Sequence, residues 1–208
     1  MTYGSLLQDR RRTLHGRIVE TIERLYPDRL IEHVERLAHH AFRGEAWGKA
    51  VTYLRQAGAK AFARSANREA VAYFEQALAS LAHLPETRET LEQAIDLRFD
   101  LRNALLPVGE FETIVGYLRE AGDLARKLGD QRRLGWVSVY MSHVFLITGH
   151  PTEARTSGRS AQSIAEGLAD LALKVGADAY WVRPMSRPAT TARLRTFSGR
   201  RCSRSKAT

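Results

Sequence analysis

Only a few residues in this chain have the types that nucleotide, metal or nucleophile chemistry requires. Gly44-Glu45-Ala46-Trp47-Gly48-Lys49-Ala50 is the nearest approach to a phosphate-binding loop. Such a loop needs four residues between its glycines and a Ser or Thr after the lysine, so that backbone amides surround the phosphates and the hydroxyl reaches magnesium. Here three residues separate the glycines, Ala50 replaces the hydroxyl, and both flanks are helical in pattern. The stretch reads as a loop leading into a helix. His33, His39 and His40 could suggest a metal, but ligands on one helix face stand three or four apart, and these do not. They read as solvated or packing histidines, and Glu32, Glu35, Arg36 and His39 as the wet face of an amphipathic helix. Cys202, the one cysteine, lies among Ser and Arg without a neighbouring base, and no serine occupies a Gly-x-Ser-x-Gly turn. The sequence therefore predicts no catalytic, cofactor-binding or metal-binding residues, and no internal disulfide.

Binding is the chemistry that survives. Arg98 and Arg102 stand one helical turn apart, and Trp136, Tyr140 and His143 are spaced by four and three. Both sets could point into a groove and hold an acidic or aromatic-bearing peptide. The competing reading is a solvated arginine pair and a second packing face.

The elements that must position these residues are helices. Apolar residues recur at helical spacing almost throughout, with no sustained alternation of period two. Leu14, Ile18, Ile22 and Leu25 form a first stripe before Pro27, and Leu30 through Phe42 form a second, closed by Gly44. Val51 to Phe62 is a third, built from small side chains. Asn67 is placed to cap the fourth, with Ala70, Phe74 and Ala77 before Pro85. A helix from Glu86 is stopped by Pro107 and Gly109, and another runs from Phe111 to Gly129. Asp130 can cap a seventh that ends at Gly149, and Pro151 suits the first turn of an eighth reaching Leu168. Eight helices with very short loops imply antiparallel neighbours.

The pattern also repeats. Gly109 with Ile114, Leu118 and Ala121 aligns with Gly149, Ala154, Gly158 and Ala161 at an offset of 40 residues, and Ala50-Leu54-Ala57 precedes Ala70-Phe74-Ala77 by 20. This resembles the tetratricopeptide repeat, whose second helix carries Ala-x3-Phe-x2-Ala; the period and the missing large residue at Gly158 depart from it. The phrases YGSLLQDRRRTLHGRIVETIERLYPDRLIEHVERLAHHAFRGEAWGKAVTYLRQAGAKAFARSANREAVAYFEQAL and LPETRETLEQAIDLRFDLRNALLPVGEF are similar to the helical-repeat region of bacterial multidomain proteins in which a class III adenylate or guanylate cyclase domain and an AAA-type ATPase module precede the repeats. That resemblance implies an all-α fold of antiparallel helical hairpins, a tetratricopeptide-like α-solenoid of about eight helices. Residues 1–26 would be a linker helix from an upstream module and 27–176 the repeats. It also implies a sensing or docking arm that regulates nucleotide-handling domains lying outside this chain. With the residue readings above, the expectation is a non-catalytic arm that receives a protein or peptide in a concave groove, and the lack of an apolar span or secretory signal pattern predicts a cytoplasmic chain.

Charge separates one further segment. The chain carries a net charge of +9, with 32 basic and 23 acidic residues. Eight basic residues and no acidic one fall between Arg183 and Thr208, which leaves the first 182 residues with 24 basic against 23 acidic. Residues 177–208 read as a disordered basic tail able to bind nucleic acid non-specifically through phosphate neutralisation. A transcriptional regulator fragment with a basic tail is thus the second functional class. The Arg/Ser/Pro/Thr-rich, acid-free composition is also what an out-of-frame reading of a GC-rich gene yields. A repeat stack interrupted there would leave its eighth helix uncapped, its apolar face free for self-association. No apolar run approaches the ~20 residues of a membrane span.

Overall fold

The computed structural model describes residues 3–179, and all of its regular elements there are helical. α1 (Tyr3–Leu25) is followed by a 3-10 segment (Pro27–His33), α2 (Val34–Arg43), α3 (Trp47–Ala63), α4 (Asn67–Leu81) and α5 (Arg88–Leu105). A 3-10 turn (Leu106–Val108) leads to α6 (Phe111–Leu128), α7 (Gln131–Ile147), α8 (Pro151–Leu168) and α9 (Leu171–Ala179).

One hinge design joins most of these helices. A single residue in the left-handed region ends the helix, at Glu45, Ser65, Gly129, Gly149 and Ala169. The next residue sends its N–H back five positions: Ala46 to Ala41, Ala66 to Ala61, Asp130 to Ala125, His150 to Phe145 and Asp170 to Ala165. That is the Schellman closure. The same residue's carbonyl then accepts the first bond of the following helix, as Ala46 does from Ala50 and His150 from Ala154. Two residues thus end one helix and start the next, leaving room only for an antiparallel return. Glu45 and Ser65 are 20 positions apart, as are Gly109, Gly129, Gly149 and Ala169 from one to the next. The repetition legible in the apolar residues is therefore also a repetition of backbone conformation.

Local expectations fare unevenly at these hinges. Asp130 caps α7, its carboxylate accepting from Arg133 N at 2.9 Å, and Pro151 opens α8. Asn67 does not cap α4: the position before it, Ala66, is already fixed by the hinge bond to Ala61, so Asn67 is the first helical residue. Gly44 closes α2 in right-handed conformation, and Glu45 takes the left-handed turn.

The core is a run of small-against-large contacts. Ala50, Leu54, Ala57 and Ala61 of α3 face Ala70, Phe74 and Ala77 of α4, all buried. Gly58 is small because the Phe74 ring lies across it: a Cβ there would meet ring carbons at 2.5, 2.7 and 2.9 Å. Burying the Phe74 ring contributes roughly 1.5–3 kcal/mol.

The eighth helix is not the last. α9 packs across α7 and α8, with Leu173 and Ala177 buried against Val139, Ala161 and Ala165. Asp170 starts it by accepting from Leu173 N at 3.0 Å. The face of α8 expected to lie open is thus covered, and the exposed apolar side chains at this end are Leu168, Leu171 and Val175. The segment 180–208, with Trp181, Phe197, Cys202 and the basic run, lies outside the described residues.

Candidate partner-docking face

The residues predicted to bind a partner sit on α5 and α7, which both pack on α6 and meet each other through their side chains. Thr87 and Thr90 cap α5 reciprocally: Thr87 N donates to Thr90 Oγ1 at 2.8 Å and Thr90 N to Thr87 Oγ1 at 3.2 Å. Arg133, in the first turn of α7, joins the two helices. Its guanidinium donates to both carboxylate oxygens of Asp96 at 3.1 and 3.2 Å and to Asp130 Oδ2 at 2.7 Å. The Asp96 bonds hold the Arg133 charge even more firmly than usual. A planar fork matched to a carboxylate in this way fixes register as well as distance.

Above this clamp the aromatic side chains assemble. Phe99 meets Tyr140 edge-on with ring centroids 5.2 Å apart, and Trp136 lies 5.7 Å from Tyr140. Arg102 is buried, only 6% exposed, with its guanidinium carbon 4.5 Å from the centre of the Tyr140 ring. It hydrogen-bonds His143 Nδ1 and donates to Asn103 Oδ1 at 2.9 Å. A guanidinium can only donate, so His143 Nδ1 is the acceptor and its proton sits on Nε2. Burial, and then the Arg102 charge, push His143 below the ordinary imidazole value. A desolvated cation over a ring contributes about 2 kcal/mol.

Arg102, Trp136, Tyr140 and His143 therefore come together as one connected group. Arg98 does not join them: it donates to the Ala94 carbonyl at 2.8 Å and pairs with Glu120 of α6 at 2.8 Å. It lines a different recess, of about 280 Å³, with Leu78, Leu91 and Leu124. The one-turn spacing of the two arginines does not make them a pair, because long side chains reach sideways to the nearest carboxylate or ring.

Between α5 and α7 a cleft of about 380 Å³ is lined by Asp96, Phe99, Asp130, Arg132, Arg133, Trp136 and Tyr140. Arg132 is largely exposed and pairs with Asp170, the residue that starts α9, at 2.6 Å. Arg132 and Arg133 carry no sequence signal of binding beyond Asp130 standing three residues before Arg133. A second hollow, about 520 Å³, lies between the start of α6 and the end of α7 and includes Phe111, Val115, Arg119, Phe145 and His150. Neither helix's own pattern singles it out, since its residues come from opposite ends of two elements. What the cleft can do chemically is bind: its aromatic floor can stack on a planar side chain, and its rim offers both signs of charge.

The remaining chemistry-bearing residues have structural surroundings. The glycine-lysine stretch forms the α2–α3 hinge, where Trp47 stacks on His83 with ring centroids 4.1 Å apart. His33 packs on the Tyr26 ring at 4.5 Å. His39 and His40 stand with His15 of α1, a neighbour sequence spacing could not supply. Among the described residues no group of three or more His, Cys, Asp or Glu side chains is arranged to hold a metal ion. No described helix is long and apolar enough to cross a membrane. No protein-family model matches the chain, and no curated protein is significantly similar to it.

Proposed function

We propose that this chain is a non-catalytic protein-interaction scaffold whose α5–α7 face docks a peptide segment of a partner. The observation that carries this reading is the Trp136–Tyr140 shelf above the Asp96–Arg133 clamp, an aromatic floor with a charged rim. Helical repeats provide such faces from side chains of successive helices. Following the resemblance of its sequence, the scaffold serves as the regulatory arm of a cyclase/ATPase-type signalling protein. The partner is an acidic or aromatic-bearing peptide, and the chain supplies recognition rather than turnover.

Panning a random peptide library on the immobilised full chain tests the reading. Peptides combining Asp or Glu with Phe, Tyr or Trp should be enriched, and the enrichment should disappear on a Trp136→Ser chain. Equal enrichment on both chains would refute it. The basic run from Arg183 to Thr208 favours a second reading, a nucleic-acid-associated regulator fragment. DNA binding that weakens steeply with salt and vanishes when residues 183–208 are deleted would be non-specific tail binding; binding that survives the deletion would favour the regulator.

A further inference from the structure

α1 is held to the rest of the molecule at two places of different chemistry. Its second half is fixed by burial: Val19 and Ile22 are 1% and 5% exposed. Beside them Glu23 accepts from Lys49 Nζ at 2.6 Å and from the Tyr53 hydroxyl at 2.5 Å. Burial pushes the Glu23 carboxyl up, and the bonds from Lys49 and Tyr53 outweigh it and hold the group below the usual carboxylate range. Its first half is attached by polar groups. His15 Nδ1 and His40 Nδ1 of α2 lie 2.8 Å apart, and Arg12 pairs with Glu45 at 2.7 Å. The backbones come close here, since a Cβ on Gly44 would sit 3.0 Å from Gly16 N.

Two imidazole nitrogens at that separation share one hydrogen, so one ring must present a bare Nδ1. A first proton taken up by the pair adds charge and leaves the bond intact; a second removes the acceptor and sets N–H against N–H. The surroundings oppose both steps. His39 and Arg43 of α2 and Arg11 of α1 face His15, and His39 and Arg36 face His40. Asp9 of α1 and Glu45 of the α2–α3 hinge are both engaged by Arg12, and Glu35 of α2 by Lys60. The 3-10 segment packs on α1 as well, at its far end, where Arg29 pairs with Glu32 and His33 packs on Tyr26.

The geometry points to a proton-sensitive joint: acidification that protonates the His15–His40 pair releases the stretch of α1 around residues 12–16 from α2, while residues 19–25 remain docked. The angle of α1 to the repeats is then set by pH. Burial, followed by the neighbouring imidazole and guanidinium groups, already holds both rings below the ordinary imidazole value, so the neutral, joined state is the one present near neutrality.

Amide hydrogen exchange of the full chain, corrected for intrinsic rate, tests this between about pH 7.5 and about pH 4.5. Protection of residues 10–18 should fall by about tenfold or more across that range, relative to α4 and α6 in the same sample. A His40→Asn chain keeps an amide at the Nδ1 position that can pair with His15 in either protonation state, and in it the pH dependence should be lost. His15→Asn is the mirror test should the first variant fold poorly. Unchanged protection of α1 in the native chain, or the same pH dependence in a folded Asn variant, would overturn the proposal.

Discussion

Alanine in place of Gly58 should destabilise the protein by about 1–2 kcal/mol, whereas alanine in place of Gly116 should stabilise it by about 0.5–1 kcal/mol. Both glycines are inside helices, α3 and α6, so removing backbone freedom favours each substitution by up to about 1 kcal/mol. The difference is what the new methyl meets. At Gly116 nothing beyond the adjoining backbone of its own helix lies within 4 Å; at Gly58 three ring carbons of Phe74 would stand between 2.5 and 2.9 Å away. Phe74 is itself 3% exposed, and its ring cannot swing clear without displacing α4. Overpacking of that kind costs roughly 2–3 kcal/mol, which leaves the net figure above after the helix preference is subtracted. For a chain of this length about 1 kcal/mol moves the melting temperature by about 2–4 °C. Thermal and urea unfolding followed by far-ultraviolet dichroism would read both variants. Gly58→Ala with Phe74→Leu should recover part of the loss. A Gly58→Ala chain that melts at or above the native temperature would refute the packing argument.

Ala169 adopts φ 51° at the α8–α9 hinge, a conformation costing a residue with a Cβ about 1–2 kcal/mol. Ala169→Gly should therefore raise the urea midpoint, by about 1 kcal/mol of stability. Asp130→Ala removes both the α7 cap and one of the carboxylates held by Arg133, and should cost about 1–2 kcal/mol in the same assay. Burial, and after it the adjacent imidazole and guanidinium groups, hold His15, His40 and His143 below the ordinary imidazole value. As pH falls the unfolded chain takes up these protons first. The stability the neutral rings contribute is thus complete above about pH 6.5 and declines below it, which urea midpoints measured from about pH 7.5 to about pH 5 would follow. Midpoints that hold steady or rise over that interval would contradict the assignment.

The helices α1 to α8 are legible in the sequence because the information is local: an apolar stripe, a cap and a stop lie within a few turns of one another. Pro151 at the start of α8 and the left-handed glycines 109 and 149 are of the same kind. α9 escaped because it is short, and its apolar residues fall on two faces, Leu173 and Ala177 inward, Leu171 and Val175 outward. Asn67 is the first residue of α4 and not its cap because the competing bond, Ala66 to Ala61, belongs to the preceding helix and is invisible in the local pattern.

The candidate docking face divides along the same line. Its residue types, and the four-and-three spacing of Trp136, Tyr140 and His143, are properties of one helix and could be read from it. That Arg102 belongs to this group and Arg98 to Glu120 depended on which neighbours α5 acquires. The pairing of His15 with His40 across 25 positions likewise arises only when α1 is laid on α2. Hydrophobic periodicity determines that a segment is a helix and which face is buried, since both follow from the 3.6-residue turn. Which side chains share a hydrogen or a ring face is decided by distances of a few ångströms between helices, and those exist only once the chain is packed.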